Sequence, residues 1–334
     1  MKFGVRRSGG YELLGALPIV GRWFRRLGDR FLLANFRFHW RFGRNVVSRR
    51  RWRSEGADLN ATQRGIVQDL MRDGIAFASI LDLIPLERFE ALKSIVTAFG
   101  ESKKVSEEMI RYRGALKSFQ EGSADVSQKA TLERYWITLY RDDRISSIDF
   151  DDPWLRLGLE PCILDTANAY LKLWSKLDYF DLWHTIPVGD AGSRFGSQKW
   201  HRDPEDWQKV RVYLYFSHVG PRSGALQYVR GSQRGGRYGD LFPRLPLAKA
   251  FRIPEGELER LAPASEWTMG VGEPGTIIFC DTIGIHRGGA SIDSPRVLAT
   301  WSYLTPASPH KQRYQLKSPE QAKTLRGCAR YAVG

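Results

Sequence analysis

The sequence predicts an α+β protein whose core is made mainly of β-strands, with helices covering that core. Short apolar runs recur at close intervals from residue 179 onward, and turns rich in Gly and Pro separate them. This pattern is typical of an antiparallel sandwich or barrel. The segments with clear helical periodicity all lie before residue 179, which places the helical cover in the first half of the chain.

The covering elements can be predicted one by one. A helix is predicted over 60–72, ended by Gly74, and a strand over 75–81. A second helix over 85–99 carries apolar residues along one side, namely Leu86, Phe89, Leu92, Val96 and Phe99. Residues 101–131 are polar, and a mobile loop over the site is one interpretation of them. Further predictions are a strand over 132–140, a long helix over 153–176 and a strand over 179–188.

A strand predicted over 210–218 alternates in character. Val212, Leu214 and Phe216 share one face, whereas Arg211, Tyr213 and Tyr215 share the other. One of these faces must look into the β core, but the register of the strand decides which. Residues 234–268 are predicted to form an excursion that shapes the entrance to a site.

Two residues at the start of this region have the spacing of metal ligands. His201 and Asp203 lie two residues apart in a strand-like stretch. In an extended chain, side chains at i and i+2 project to the same face, so both can reach one ion. Such a pair is common in sequences and is weak support when taken alone.

Residues 275–304 supply the missing support. A buried strand is predicted over 276–280, His286 follows a short turn, and a second strand begins at Arg296. A hairpin would bring Arg296 back towards His286, where its guanidinium could grip a carboxylate. Two His and one carboxylate on one side of a metal leave coordination positions open, an arrangement associated with non-haem Fe(II) oxygenases.

At these residues the chain resembles a known family. WHRD at 200–203, GALQYVRGSQ at 224–233, His286 and Arg296 together resemble the phytanoyl-CoA dioxygenase (PhyH)-like family of Fe(II)/2-oxoglutarate-dependent oxygenases. The resemblance extends over roughly 59–305 in layout, and is specific only between residues 200 and 303.

The resemblance implies a double-stranded β-helix, which is a cupin-like jelly roll. It also implies that His201, Asp203 and His286 bind Fe(II), that Arg296 pairs with the distal carboxylate of 2-oxoglutarate, and that O2 is the second co-substrate. The implied reaction is hydroxylation of an unactivated C–H bond in a small-molecule or lipid-linked substrate, with release of succinate and CO2. Halogenating relatives have a small residue in place of the carboxylate, so the presence of Asp203 disfavours halogenation.

Other interpretations of these residues stay open. His201 and Asp203 would also suit an exposed turn, His286 a hydrogen-bonded loop, and Arg296 an ordinary ion pair. Zinc or manganese could occupy the same ligands. A second class of function is therefore a catalytically inactive metal-binding jelly-roll module that acts at a membrane surface or binds a partner. A carboxylate clamp at Arg296 would have no purpose in such a module.

Several classes of site have no support in the sequence. His39, His184, His218 and His310 lack a matching carboxylate in a strand setting, although His184 could line the cavity. The chain has no Ser-His-Asp order and no Gly-rich phosphate loop, so neither a hydrolase nor a nucleotide-binding protein is indicated. Three widely spaced cysteines without a CxxC motif favour a reducing compartment, and the cytoplasm is the expected location.

The net charge of +14 is concentrated at the N-terminus. Residues 1–53 contain fourteen Lys and Arg but only Glu12 and Asp29, so the rest of the chain is close to neutral. This separates a basic extension and linker, 1–56, from an oxygenase-like domain, 57–334. It also argues against nucleic acid as a partner, since a duplex-binding footprint would lie on the folded domain.

Within the extension, 19–47 has the pattern of a basic amphipathic helix. Its apolar residues recur at steps of three or four: Val20, Phe24, Leu27, Phe31, Ala34, Phe38, Phe42 and Val46. Such a helix could lie on an anionic membrane surface, or pack on the main domain or on a partner. An Arg-rich, acid-poor start also fits a mitochondrial transit peptide. The sequence predicts neither the substrate nor the oligomeric state.

Overall fold

The computed structural model describes residues 37–140, 145–189, 194–241, 251–254 and 256–334. Its strands, in chain order, are β1 (Ile75–Ser79), β2 (Trp136–Thr138), β3 (Ser146–Ile148), β4 (Lys176–Thr185), β5 (His201–Arg202), β6 (Lys209–Tyr215), β7 (Leu226–Val229), β8 (Phe251–Arg252), β9 (Trp267–Gly270), β10 (Thr276–Cys280), β11 (His286–Gly288), β12 (Val297–Leu304) and β13 (Tyr314–Leu316).

Two antiparallel sheets form the core. The larger has the order β1-β10-β6-β12-β4-β2, the smaller has the order β8-β5-β11-β7-β9, and β3 and β13 form a separate parallel pair. Strands β4 to β7, and again β10 to β12, alternate between the larger and the smaller sheet. This alternation is the winding expected of a double-stranded β-helix. The predicted α+β class with antiparallel sheets is confirmed.

The α-helices mostly precede β4 in the chain. They are α1 (Asn45–Glu55), α2 (Ala61–Asp73), α3 (Leu86–Gly100), α4 (Lys103–Gln120), α5 (Val126–Leu132), α6 (Pro153–Gly158), α7 (Thr166–Leu171), α8 (Glu257–Leu261) and α9 (Gly327–Val333). Apolar residues of α2 and α3 share one buried cluster with Val212, Phe279 and Trp301 of the larger sheet. The helices therefore cover the outer face of that sheet.

Two of the predicted helices are confirmed. Asn60 caps α2, with reciprocal hydrogen bonds to Gln63, and Gly74 ends the helix in a left-handed conformation at φ +79°. Helix α3 buries four of the five residues predicted on its apolar side. Leu86 is instead 53% exposed, because it begins the helix ahead of the turn that contacts the core.

Three predictions about the covering elements were wrong. Residues 101–131 are not a loop, because Ser102 caps α4 and a capping box joins Asp125 to Gln128 at the start of α5. The helix predicted over 153–176 is divided near Pro161. The preceding Glu160 is extended, as a residue before proline tends to be. The strand predicted over 132–140 is reduced to β2, because α5 extends to Leu132.

The space between the sheets is lined by aromatic residues. One buried cluster contains residues of both sheets, including Trp183, Tyr213, Tyr215 and Tyr228. The face of β6 that carries Tyr213 and Tyr215 therefore looks into the core, whereas Val212 and Leu214 pack beneath the helices. His184 pairs in register with Ile137 and Val297, two residues that pack on the helical side. It therefore does not line the space between the sheets.

The described part of the N-terminal extension packs on the domain. Residues 37–42 are helical and lead into α1. Trp40 is buried, whereas Phe38 and Phe42 are exposed, so the predicted apolar stripe is not the face that contacts the core. Residues 1–36 of the extension, and residues 242–250 and 255 of the predicted excursion, lie outside the described residues. No helix among those described has the length and apolar character needed to cross a membrane.

Candidate metal centre

The two predicted histidine ligands face each other across the smaller sheet. His201 of β5 and His286 of β11 are direct partners in the antiparallel register, and their ring centroids lie 4.3 Å apart. His286 is also the register partner of Tyr228, a residue of the cluster between the sheets. Since directly paired residues project to the same face, both imidazoles point into the core.

Asp203 completes the group just beyond the end of β5. Its backbone N–H donates a hydrogen bond to the Thr282 carbonyl at 3.0 Å, which ties the chain after His201 to the segment before His286. One potential ligand atom from each of His201, Asp203 and His286 lies within 4.8 Å of the others. The structure thus brings His286 to His201 and Asp203, although more than eighty residues separate it from them in the chain.

The hydrogen bonds of the two rings decide which nitrogen can bind a metal. Nδ1 of His201 lies 2.8 Å from the Lys199 carbonyl, and Nδ1 of His286 lies 3.0 Å from the Gly284 carbonyl. A carbonyl only accepts, so each Nδ1 must carry the proton and each Nε2 keeps its lone pair. The two Nε2 atoms lie 3.7 and 3.8 Å from Oδ1 of Asp203.

The electrostatics keep both rings neutral. Burial, and secondarily the neighbouring His201, lower the pKa of His286 to about 3. Burial also lowers the pKa of His201, although Asp203 opposes that change. Neutral imidazole is the form that binds metal ions. At neutral pH the pair therefore needs no deprotonation before it can act as a ligand.

Asp203 is held as a carboxylate by two buried cations. Nζ of Lys209 lies 3.1 Å from Oδ2 of Asp203, and Nη2 of Arg211 lies 3.3 Å from the same oxygen. Burial alone would raise the pKa of Asp203, but Lys209 and Arg211 outweigh it and hold that pKa well below its usual value. Because both cations contact Oδ2, Oδ1 is the oxygen directed towards the imidazoles.

The same cations are balanced by a second carboxylate. Glu205 lies 3.2 Å from Lys209 and 3.8 Å from Arg211, and Arg313 bridges Glu205 to Asp178. Three cations and three carboxylates thus share one largely buried network. Prediction from the sequence missed Lys209 and Glu205. The only available signal was the alternation of charged residues over 203–211.

The donor set, and two of its three distances, fit a divalent metal ion. Two ligand atoms bound to one metal at ~2.1 Å can be at most ~4.2 Å apart, and both Nε2–Oδ1 distances fall within that limit. Two imidazole nitrogens and one carboxylate oxygen suit Fe(II), and they also suit zinc or manganese. Three protein ligands leave further coordination positions for other molecules.

Arg296 lies in the interior, immediately before β12. It is 4% exposed, and its backbone N–H and C=O are bonded to Thr185. Burial raises the pKa values of Tyr215 and Tyr135, and in both cases the charge of Arg296 opposes the rise. Its Nε has no hydrogen-bond partner among the described residues. A buried donor in this state is suited to an acceptor from a ligand.

Tyr135 links this arginine to the strand of His286. Its hydroxyl lies 3.0 Å from Oγ of Ser197 and rests over Gly288, where a side chain would overlap it. Gly288 is two residues from His286 and therefore on the same face of β11. The sequence does not point to Tyr135, because the place of this residue depends on how β2 joins the edge of the larger sheet.

No protein-family model matches the chain, and no curated protein matches it. Solved structures do resemble it in part. The epimerase SnoN in complex with Fe3+, alpha ketoglutarate and nogalamycin RO is 12% identical, with 76% of this chain and 87% of that chain covered and a TM-score of 0.46. EctD from S. alaskensis with 2-oxoglutarate and 5-hydroxyectoine is 17% identical, with 75% and 77% covered and a TM-score of 0.45. HygX from Streptomyces hygroscopicus with nickel and 2-oxoglutarate bound is 12% identical, with 74% and 87% covered and a TM-score of 0.42.

Proposed function

We propose that this protein is an Fe(II)- and 2-oxoglutarate-dependent dioxygenase of the PhyH-like type, hydroxylating a C–H bond of a small-molecule or lipid-linked substrate. The observation that carries the proposal is the convergence of two neutral imidazoles and one carboxylate oxygen at a buried point between the sheets. The resemblance of residues 200–203 and 224–233, His286 and Arg296 to that family supports the same assignment.

His201, Asp203 and His286 would hold the iron through Nε2, Oδ1 and Nε2. The carbonyls of Lys199 and Gly284 keep the required imidazole tautomers, as outer partners of metal-bound histidines commonly do. The iron centre with 2-oxoglutarate would supply oxidation of a C–H bond by O2, with succinate and CO2 as co-products. Burial of His201 and His286 would restrict water around the reacting groups.

Arg296 would bind the distal carboxylate of 2-oxoglutarate. A guanidinium can donate two parallel hydrogen bonds to a carboxylate, and the low exposure of Arg296 strengthens such an interaction relative to water.

A cavity of about 530 Å³ lies between α4, α5 and β2, a size usual for small-molecule sites. Lys104, Arg111 and Arg134 line it together with Glu108, so its wall is more basic than acidic. Trp136 also lines it and stacks on Trp183 of the cluster between the sheets, with centroids 5.3 Å apart. A small anionic substrate would suit this cavity as an approach to the core.

The decisive experiment follows succinate formation from 2-oxoglutarate by the purified protein with Fe(II) and O2, in a screen of candidate small molecules. The expected result is succinate that requires both Fe(II) and 2-oxoglutarate. His201→Ala and Asp203→Ala should each abolish it, because each removes a metal ligand. His218→Ala is the matched control, since His218 is an exposed histidine paired with Glu273.

Unchanged turnover in His201→Ala or Asp203→Ala would exclude the proposed chemistry. The alternative, an inactive metal-binding module, makes a different prediction for direct binding. A module of that kind would bind Mn(II) in calorimetry but show no binding of 2-oxoglutarate to the metal-loaded protein. In an oxygenase, Arg296→Leu should weaken 2-oxoglutarate binding while leaving Mn(II) binding intact.

A further inference from the structure

The N-terminal extension is fixed to the domain by one side of its helical residues 37–42. Trp40 is buried, and its Nε1–H donates to Oδ1 of Asp206 at 3.2 Å. The guanidinium groups of Arg49 and Arg234 lie 4.5 and 4.6 Å from the centre of the Trp40 ring. Trp40 is therefore held against the domain. Its hydrogen-bond partner Asp206 lies three residues after Asp203 in the chain.

The start of α1 strengthens this docking. Nδ2 of Asn45 donates to Oγ1 of Thr305 at 3.2 Å, and Oδ1 of Asn45 accepts from the Ala307 backbone at 2.9 Å. The Ser48 carbonyl accepts from Trp174 at 3.3 Å. Because the buried side-chain amide of Asn45 is hydrogen-bonded through both its nitrogen and its oxygen, the orientation of the extension on the domain is defined.

The other side of the same helical residues exposes two aromatic rings. Phe38 is 59% exposed and Phe42 is 62% exposed. They are one helical turn apart, and their ring centroids are separated by 5.4 Å. Single exposed apolar residues are ordinary, but a pair of adjacent phenylalanines on a docked helix forms a patch of the kind used for binding.

Uncompensated positive charge lies in the same segment of the chain, and the Arg41 guanidinium lies 5.4 Å from the centre of the Phe42 ring. Arg41, Arg44, Arg50 and Arg53 are exposed, and in the part of the chain that the structure describes no ion pair joins them to a carboxylate. Burial lowers the pKa of Arg49, and the charges of Arg53 and Arg41 lower it further. The arginines of this segment therefore repel one another and favour an anionic partner.

We propose that Phe38, Phe42 and the neighbouring Arg41 and Arg44 form a surface that binds anionic lipid bilayers. Aromatic rings enter the boundary between headgroups and acyl chains, while arginines remain at the anionic headgroups. Phe38, Arg41 and Phe42 lie on the helical segment whose Trp40 is fixed to the domain, and Arg44 lies in the turn that follows it. This surface is independent of the proposed chemistry, and it would place a lipid-linked substrate near the domain.

The test is co-sedimentation of the full-length protein with two kinds of vesicle: phosphatidylcholine containing phosphatidylserine, and phosphatidylcholine alone. The wild-type protein should bind the anionic vesicles and bind them less at high salt. Phe38→Ser/Phe42→Ser should lose at least about tenfold in affinity for the anionic vesicles, given the area each ring would bury. Ile110→Ser/Val126→Ser is the matched control, because it removes two exposed apolar residues elsewhere and should bind like the wild type.

Circular dichroism and thermal melting of both variants should match the wild type, since all four positions are exposed. Equal binding of the wild type and Phe38→Ser/Phe42→Ser would overturn the proposal. So would equal binding to both kinds of vesicle. Retention of a fluorescent single-stranded RNA without any binding to anionic vesicles would assign the surface to nucleic acid and would likewise overturn it.

Discussion

Glu205 is a buried carboxylate that contacts no proposed ligand directly but shares two cations with Asp203. Lys209 and Arg211 each lie between Glu205 and Asp203. While Glu205 is charged, part of the pull of both cations is directed away from Asp203. The negative charge that Asp203 offers at Oδ1 therefore depends on its neighbour.

Glu205→Gln should weaken metal binding. The amide retains the size of the side chain but removes one negative charge, so Lys209 and Arg211 turn more fully towards Asp203 and the network gains net positive charge. Partners of metal ligands typically change affinity by about 10–100-fold, and a loss in that range is expected for Mn(II) in calorimetry. Glu266→Gln, which alters a surface ion-pair cluster with Arg230 and Arg237, should leave the affinity unchanged. Affinity equal to the wild type in Glu205→Gln would mean that the network does not influence Asp203.

Two of the three candidate ligands could be paired from the sequence because their geometry is local. The i and i+2 spacing of His201 and Asp203 places both on one face of any extended chain. His286 required only a strand followed by a turn. Lys209 and Glu205 could not be predicted in the same way, because their contacts depend on how 203–209 turns back on itself. Spacing alone does not reveal that turn.

At the scale of elements, β2 and β11 meet through one tight contact. The Tyr135 residue that precedes β2 places its hydroxyl where a side chain at Gly288 would be. The ring carbon Cζ is further away, 3.4 Å from the position a methyl group would take. The contact therefore depends on a glycine in β11 and on a single oxygen atom of Tyr135.

Gly288→Ala should lower the free energy of unfolding by about 1–3 kcal/mol, the usual cost of an added methyl group in a packed site. Tyr135→Phe alone should cost about 1 kcal/mol through loss of the hydrogen bond to Ser197. The double variant should lose less unfolding free energy than the sum of the losses in the two single variants, because removal of the hydroxyl makes room for the methyl group. Urea denaturation of the four proteins measures this, and strict additivity would contradict the contact.

The elements themselves were predicted unevenly, for reasons that residues explain. Helix α2 has both end signals, Asn60 and Gly74, and was predicted closely. Helices α4 and α5 have comparable N-terminal signals at Ser102 and Asp125. Their residues are mostly polar, however, so the hydrophobic pattern of the sequence does not indicate a helix there. The interruption near Pro161 shows the reverse case, in which a suitable pattern was overruled by a residue without a backbone donor.

At the scale of the whole molecule, the division into 1–56 and 57–334 stays a prediction. Burial of Trp40, Asn45 and Ser48 shows that residues 37–55 share contacts with the domain, although their charge differs from it. Sequence composition detects such a change in charge but not whether the segment docks. The sheet winding depends on pairings between strands far apart in the chain, which local patterns do not specify.

The unfolding free energy of the whole molecule should depend on pH through its buried histidines. The pKa of His286 is about 3 in the folded protein, against about 6.5 for an unperturbed histidine. Below pH ~6.5 the His286 imidazole therefore binds a proton in the unfolded chain but not in the folded protein. The free energy of unfolding decreases as the pH falls. For His286 alone the loss is about 2 kcal/mol between pH 7.5 and pH 5.

Urea denaturation with a chelator present should show this loss, and in His286→Asn the difference between the two pH values should shrink by about that amount. His310→Asn, a change at an exposed histidine, should leave the difference as it is in the wild type. An unchanged difference in His286→Asn would mean that this imidazole is not buried in its neutral form, and the geometry of the candidate metal centre would then need to be revised.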